Sequence, residues 1–129
     1  MKRNGGRDRG AAAVEFALIA MMLITMLFLI VEGGRLFMIQ AGASTAARDA
    51  ARTMAISNNP VYAETDANKV FSPFGVLKLN DDLLITGCDD DPTTNDSARA
   101  TIAWKAGLVT GMFGAELPIN AKGEMRCGG

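Results

Sequence analysis

Few side chains in this 129-residue sequence are of types that do chemistry, and their arrangement argues against catalysis. Histidine is absent, which removes the commonest general base and the commonest imidazole metal ligand. The serines therefore have no imidazole to activate them, and no glycine-rich segment has the phosphate-binding pattern. We expect a protein that is not an enzyme and that binds no cofactor and no small-molecule substrate. The serines in question are Ser44, Ser57, Ser72 and Ser97.

Metal binding is not expected either. Two cysteines are too few for a four-thiolate zinc site or an iron–sulfur cluster within one chain. The acidic segment 89–96 has oxygen-bearing side chains at alternate positions, as a calcium loop has. However, Thr94 stands at the sixth position, which requires glycine, and Ala100 stands at the twelfth, which requires glutamate. The sequence therefore predicts a solvated acidic loop.

Charge is distributed unevenly along the chain. Residues 1–10 carry a net charge of +3, residues 11–56 are neutral overall, and residues 57–129 carry −4. The total of −1 gives no general attraction to nucleic acid, which we do not expect as a partner. A basic head, an apolar stem and an acidic body are typical of a membrane-anchored protein whose head stays in the cytoplasm.

The stem begins with a run of sixteen uncharged residues from Phe16 to Val31. Together with the five residues before it, the run forms a helix of about 31 Å, which is long enough to cross the hydrocarbon layer. We expect this helix to contact membrane lipid, with the rest of the chain exported because the basic residues precede the run. A secreted protein cut after Gly33 is an alternative, since a signal peptide also has a basic head and an apolar run.

Glu15 is the only charged residue between Ala11 and Val31. A carboxylate costs free energy in a bilayer, although less near the interface than at the centre. Two interpretations are open: Glu15 lies at headgroup level, or it pairs with a cation. If the chain is cut after Gly10, the new α-amine of Ala11 is charged near neutral pH. Its pairing with Glu15, within one chain or between neighbouring chains, would offset the desolvation of both groups.

Gly10, the four residues that follow it, Glu15 and Phe16 together resemble the cleavage signature of type IV-like prepilins. The stretches RDRGAAAVEFALI, VEGGRLF and AARDAAR resemble the TadE/TadG-like minor pilins, or pseudopilins, of tight-adherence (Flp) pili. This resemblance covers residues 7–52. Phe16 departs from the tyrosine that the major pilins usually carry, and the chain is longer than the major Flp pilin.

The resemblance implies a minor prepilin or pseudopilin that takes part in assembly of a Flp/Tad-type adhesion pilus. A prepilin peptidase would remove residues 1–10, and Glu15 would register the subunit in the assembling filament. Its partners would be other pilin or pseudopilin subunits and the pilus assembly platform. The protein would lie in the bacterial inner membrane with its C-terminal domain in the periplasm or at a pilus tip. The alternative is an uncleaved, single-pass, membrane-anchored periplasmic interaction protein.

Past the membrane segment, apolar residues recur at spacings of three and four, which predicts a continued helix with one buried face. Gly33 and Gly34 either bend this helix or leave it continuous. The sequence Asn58-Asn59-Pro60 is expected to end it. The predicted face consists of Leu36, Ile39, Ala43, Ala46, Ala47, Ala50 and Met54.

The remaining sequence predicts a short helix over residues 63–71 and three strands over 83–88, 98–105 and 117–127. Pro118, near the start of the last strand, suggests either an edge strand or an irregular entry into it. The expected fold class is α+β, with a pilin-like stem helix followed by a small antiparallel sheet packed on it. The predicted parts are a cytoplasmic leader (1–10), a transmembrane and stem helix (11–57) and a periplasmic α+β domain (58–129).

Cys88 and Cys127 are the only thiols, and both fall in the part predicted to be exported. Both lie at ends of predicted strands, so an intrachain disulfide is expected in an oxidising periplasm, with an intermolecular bridge as the alternative. The apolar segment from Leu108 to Gly114 is expected to connect the last two strands. It either covers the sheet or forms an exposed tip that touches a partner or the membrane.

Overall fold

The computed structural model describes residues 7–88, 96–108 and 116–127, with side chains from Gly10 onward. A long helix comes first and a small sheet afterwards, which is the predicted α+β architecture. The chain divides into two compact units, an N-terminal unit, Met1–Gly34, and a C-terminal unit, Arg35–Gly129. The boundary between these two units falls inside the first helix. The elements are α1 (Arg7–Ser57), α2 (Pro60–Phe71), β1 (Leu83–Thr86), β2 (Ser97–Gly107) and β3 (Glu116–Arg126).

The N-terminal unit, as far as it is described, is the first part of α1. Its alanines, leucines and methionines favour helix, and Thr25 donates a hydrogen bond to the carbonyl of Met21 at 2.8 Å. Among the described residues, α1 is the one helix long and apolar enough to cross a bilayer: its best 18-residue window has a mean hydropathy of 2.7, and none of it is buried. This exposure suggests a membrane anchor rather than the core helix of a soluble protein. The helix continues through Gly33 and Gly34.

The C-terminal unit buries one face of the second part of α1. The predicted face is confirmed from Ile39 to Met54, while Leu36 is only partly buried against the same core. Ala51 is buried as well, although the single-face pattern does not include it. The helix ends as predicted, with Asn58 in the left-handed region at φ 46° and donating its N–H to the carbonyl of Met54.

α2 starts with a side-chain cap and a proline. The side chain of Asn59 accepts a hydrogen bond from the N–H of Val61 at 3.0 Å, and Pro60 occupies the first turn, where its missing N–H has no cost. The helix buries Ala63, Ala67 and Phe71. It therefore begins three residues earlier than the sequence predicts, because the cap and the proline fix its start.

The three strands form one antiparallel sheet in the order β1-β2-β3. β3 is an edge strand, which is one of the two alternatives that Pro118 suggests. Alternate residues of β2 and β3 face the core, which confirms the predicted alternation. Only the two ends of β3 differ, since Leu117 and Met125 are 39% and 41% exposed. The buried strand residues are Leu83, Ala98, Ala100, Ile102, Ala106, Ile119, Ala121 and Gly123.

Small residues let the sheet approach α1 closely. A Cβ built on Gly123 would meet the carbonyl carbon and oxygen of Ala47, so β3 lies directly on the helix backbone. Larger aromatic side chains pack in or against the same core. Phe71, at the end of α2, packs on Phe74 and edge-on to Trp104, with ring centroids 5.6 and 5.4 Å apart.

Candidate functional site

The residues of the predicted processing motif all lie on helix α1. Gly10, Ala11, Glu15 and Phe16 are exposed, and Phe16 is 73% exposed. Ala11 and Glu15 are four residues apart, so they lie on the same side of the helix, one turn from each other. Helical side chains tilt towards the N-terminus, which directs Glu15 towards the level of the Ala11 nitrogen. This geometry would allow a chain starting at Ala11 to pair its amine with its own Glu15.

Two polar side chains of α1 join the helix to the sheet within the C-terminal unit. Arg35 donates from Nη1 to the carbonyl of Gly107 at 2.7 Å, at the last residue of β2. Gln40 donates from Nε2 to the carbonyl of Asn120 in β3 at 2.9 Å. These contacts fix the level of each strand along the helix. Sequence reasoning missed both, because a side chain bound to a backbone carbonyl at such long separation leaves no pattern in the sequence.

Comparison with known protein families identifies the part of α1 that contains the processing motif, Arg35 and Gln40. The family model described as TadE-like protein matches residues 10–52. Residues 10–52, called the TadE-like segment below, are similar to this family. The predicted resemblance is therefore confirmed over this stretch, which starts at Gly10 and ends at Arg52 of α1. No curated protein and no solved structure matches the chain.

Beyond the TadE-like segment, a disulfide joins Cys88 to Cys127, with their Cα atoms 5.9 Å apart. Backbone hydrogen bonds hold both ends: the N–H of Cys88 donates to Oδ1 of Asn58 at 3.3 Å, and that of Cys127 donates to the carbonyl of Asp96 at 3.0 Å. The bridge thus ties the C-terminus of β3 to the chain after β1 and to the end of α1. The carboxylate of Asp96 lies near both sulfurs, but sulfurs bonded to each other are not available as thiolate metal ligands.

Asp66 joins α2 to α1, just past the end of the TadE-like segment. Its Oδ1 accepts from Lys69 and its Oδ2 accepts from Thr53 of α1, both at 2.7 Å. The hydrogen bond from Lys69, followed by that from Thr53, holds the pKa of Asp66 below its ordinary value of 3.8. Asp66 thus links the two helices in its charged form.

A second carboxylate with a lowered pKa lies on the sheet, outside the TadE-like segment. Ser97 donates to Oε1 of Glu124 at 2.5 Å, and Arg99 lies 3.3 Å from Oε2. The Ser97 hydroxyl, followed by the charge of Arg99, lowers the pKa of Glu124 from its ordinary 4.5. These side chains tie β2 to β3 near the disulfide end of the ladder.

The serines considered above have local hydrogen-bond partners. Three donate to carbonyls within their own helix or its last turn, and the fourth is Ser97. Two predicted loops mostly lie outside the described residues: the acidic segment at 89–95 and the apolar segment at 109–114. The structure therefore bears on neither the predicted solvation of the first nor the predicted contacts of the second.

Proposed function

We propose that this protein is a minor prepilin or pseudopilin that takes part in assembling a Tad-type adhesion pilus. The observation that carries the proposal is the TadE-like match over residues 10–52, because it contains the motif residues Gly10 and Glu15 together with the apolar run. A TadE-like family suggests involvement with Tad pilus systems. In this role the chain packs against other pilus components and recognises them, and it does not catalyse a reaction.

The first step of this function is insertion and processing. The apolar part of α1 enters the inner membrane with the basic residues 1–10 on the cytoplasmic side, in keeping with the positive-inside rule. A prepilin peptidase then cuts between Gly10 and Ala11. The exposure of both residues and the small size of Gly10 support access to this bond.

The second step is registration of the subunit through Glu15. An unpaired carboxylate in the membrane costs free energy, so it favours any position that brings a cation to the same depth. The amine of Ala11, in the same chain or in a neighbouring one, is the cation of matching chemistry. A subunit displaced along the filament axis would leave both charges unpaired, which makes the pairing selective for one register.

The exported body then meets the other components of the pilus. Residues 57–129 carry a net charge of −4, and exposed apolar side chains lie where α1 gives way to α2. Ile56, Val61 and Tyr62 there are 76%, 58% and 60% exposed. Other pilin or pseudopilin subunits and the assembly platform are the partners we propose for this surface.

The registration step is tested with the variants Glu15→Ala and Glu15→Gln in the pilus-forming host. Both variants are expected to insert as the wild type does, judged by alkaline extraction of membranes, and to lose pilus assembly. Phe16→Tyr is the matched control next to the carboxylate, and it should leave piliation unchanged because it adds no charge. Normal piliation with Glu15→Ala would refute the registration role.

The alternative is a membrane-anchored periplasmic protein that is never cut and never enters a filament. It predicts that neither the Glu15 variants nor a block of processing affects any activity of the protein. Recovery of the full-length chain from the membranes of piliated cells would favour this alternative.

A further inference from the structure

Three contacts within the C-terminal unit set the height of the sheet along α1. Arg35 binds the carbonyl of Gly107, Gln40 binds that of Asn120, and Gly123 lies on Ala47. Gly107 is paired with Glu116 at the start of β3, so the order along the helix follows the order along that strand. The end of the sheet formed by Gly107 and Glu116 is therefore level with Arg35, the first residue of the unit.

Exposed apolar side chains lie at the same level. Phe37 and Met38 on α1 fall between Arg35 and Gln40, and they are 74% and 61% exposed. On β3, Leu117 comes directly after Glu116 and is 39% exposed. This end of the unit, here called the basal end, is defined by Arg35, Phe37, Met38, Lys105, Gly107 and Leu117. A water-exposed surface gains nothing from these apolar groups.

Counting along the helix places the basal end against the bilayer. The helical residues from Ala11 to Val31 are enough to cross the hydrocarbon layer, and Arg35 lies about one turn past their end. The residues that follow enter the headgroup layer, where aromatic, Lys and Arg side chains are favoured. The basal end offers this chemistry: Phe37 is aromatic, Arg35 is cationic, and Lys105 is 76% exposed, with a long 3.8 Å contact to Glu116.

We propose that the basal end of the C-terminal unit is embedded in the phospholipid headgroup layer, so that the end of the β2–β3 ladder is a second membrane contact beside the span. This inference rests on the proposed anchoring by α1. Lipid phosphates are the partners for Lys105, and the glycerol region receives Phe37, Met38 and Leu117.

The test uses single tryptophans in the full chain, reconstituted in vesicles of phosphatidylethanolamine and phosphatidylglycerol with acyl chains brominated near the glycerol. Trp104 is the only native tryptophan, so Trp104→Phe provides the background. Leu117→Trp and Met125→Trp form a matched pair, since the two sites share a strand and a face and are 39% and 41% exposed. They are eight residues, or about 26 Å, apart along β3.

Bromolipid is expected to quench tryptophan at position 117 at least twofold more than tryptophan at position 125. A second pair on α1, Phe37→Trp and Ile56→Trp at 74% and 76% exposure, should give the same contrast and does not depend on the sheet tolerating a larger residue. Equally weak quenching within each pair would overturn the proposal in favour of a basal end in water or covered by protein. Equally strong quenching would overturn it in favour of a body lying flat.

The anchor itself is tested separately with Leu23→Trp in the same background, in vesicles whose acyl chains are brominated near their terminal methyl groups, at the depth of this residue. Strong quenching there together with weak quenching at positions 37 and 117 refutes the basal contact and leaves the anchor intact. Weak quenching at position 23 refutes the anchor and the basal contact together. Far-ultraviolet circular dichroism and the intact disulfide-linked mass verify that each variant is folded.

Discussion

The backbone of Gly123 in β3 lies against the carbonyl group of Ala47 in α1 so closely that no side chain fits between them. The amide nitrogen of Arg48 is only 2.7 Å from the position that a Cβ would occupy. The neighbouring atoms belong to helix backbone, which cannot rotate away as a side chain can. Helix and edge strand therefore depend on glycine at this one position for their packing distance.

Gly123→Ala should consequently destabilise the C-terminal unit. The added methyl group forces β3 away from α1 or distorts the helix, and overpacking of this kind costs about 1–3 kcal/mol in the free energy of unfolding. Urea unfolding of the detergent-solubilised protein measures the change. Gly107→Ala is the matched control on the same sheet, because a Cβ there meets nothing within 4 Å. Equal stability of the two variants would show that the contact is not tight.

Reduction of the disulfide should also lower stability. The bridge spans a sequence separation of 39 and restricts the unfolded chain, which in general is worth about 2–4 kcal/mol. Urea unfolding with and without a dithiol reductant should give a lower midpoint in the reduced sample. The double variant Cys88→Ala/Cys127→Ala serves as the control, since its midpoint should not respond to reductant. An unchanged wild-type midpoint would contradict the stabilising role.

Stability should depend on acid pH through Glu124. A carboxylate whose pKa is lowered by folding adds stability that is complete above the unfolded value, ordinarily 4.5, and is lost as pH falls through the lower folded value. Ser97→Ala removes the main cause, so the pKa of Glu124 should rise towards 4.5. Carboxyl carbon NMR titration measures this pKa directly. Arg99→Ala should also raise it, because this change removes both a charge and a hydrogen bond, and an unchanged titration in Ser97→Ala would disprove the assignment.

Periodicity alone predicted much of the fold. The spacing of three and four from Ile39 to Met54 identified the helix face that is buried, and the alternation from Ala98 onward identified the inward side of β2. Ala51 was not predicted because it lies beside Ala47, at the margin of a buried face that is wider than the single stripe. The pattern predicts which face is buried but not how many neighbours cover it.

The sequence likewise predicted only part of the candidate site. Gly10, Glu15 and the apolar run are local features, so their pattern was sufficient to indicate the TadE-like family that residues 10–52 match. The hydrogen bonds of Arg35 and Gln40 to strand carbonyls were not predicted. Each joins residues more than 70 positions apart, and the accepting carbonyl is a group that every residue carries. Only the folded register of sheet and helix reveals them.

Processing should require the small residue at position 10. Gly10→Leu is expected to leave the chain uncut in the membrane, because a bulky side chain before the scissile bond would obstruct the peptidase. Gly33→Ala is the control, since this glycine lies outside the motif and a Cβ there meets nothing within 4 Å. Immunoblots of membrane fractions should show a longer product for Gly10→Leu alone. A shortened Gly10→Leu product would rule out cleavage at the proposed bond.

The central claim is that the chain is a prepilin cut after Gly10, and the intact mass of the wild-type protein recovered from host membranes tests it most directly. We predict a species that begins at Ala11, with a gain of about two mass units on reduction from opening the intrachain disulfide. A species that begins at Met1 or Lys2 would contradict the claim and indicate a plain anchor. One that begins near Gly34 would contradict it by identifying the apolar run as a cleaved signal peptide.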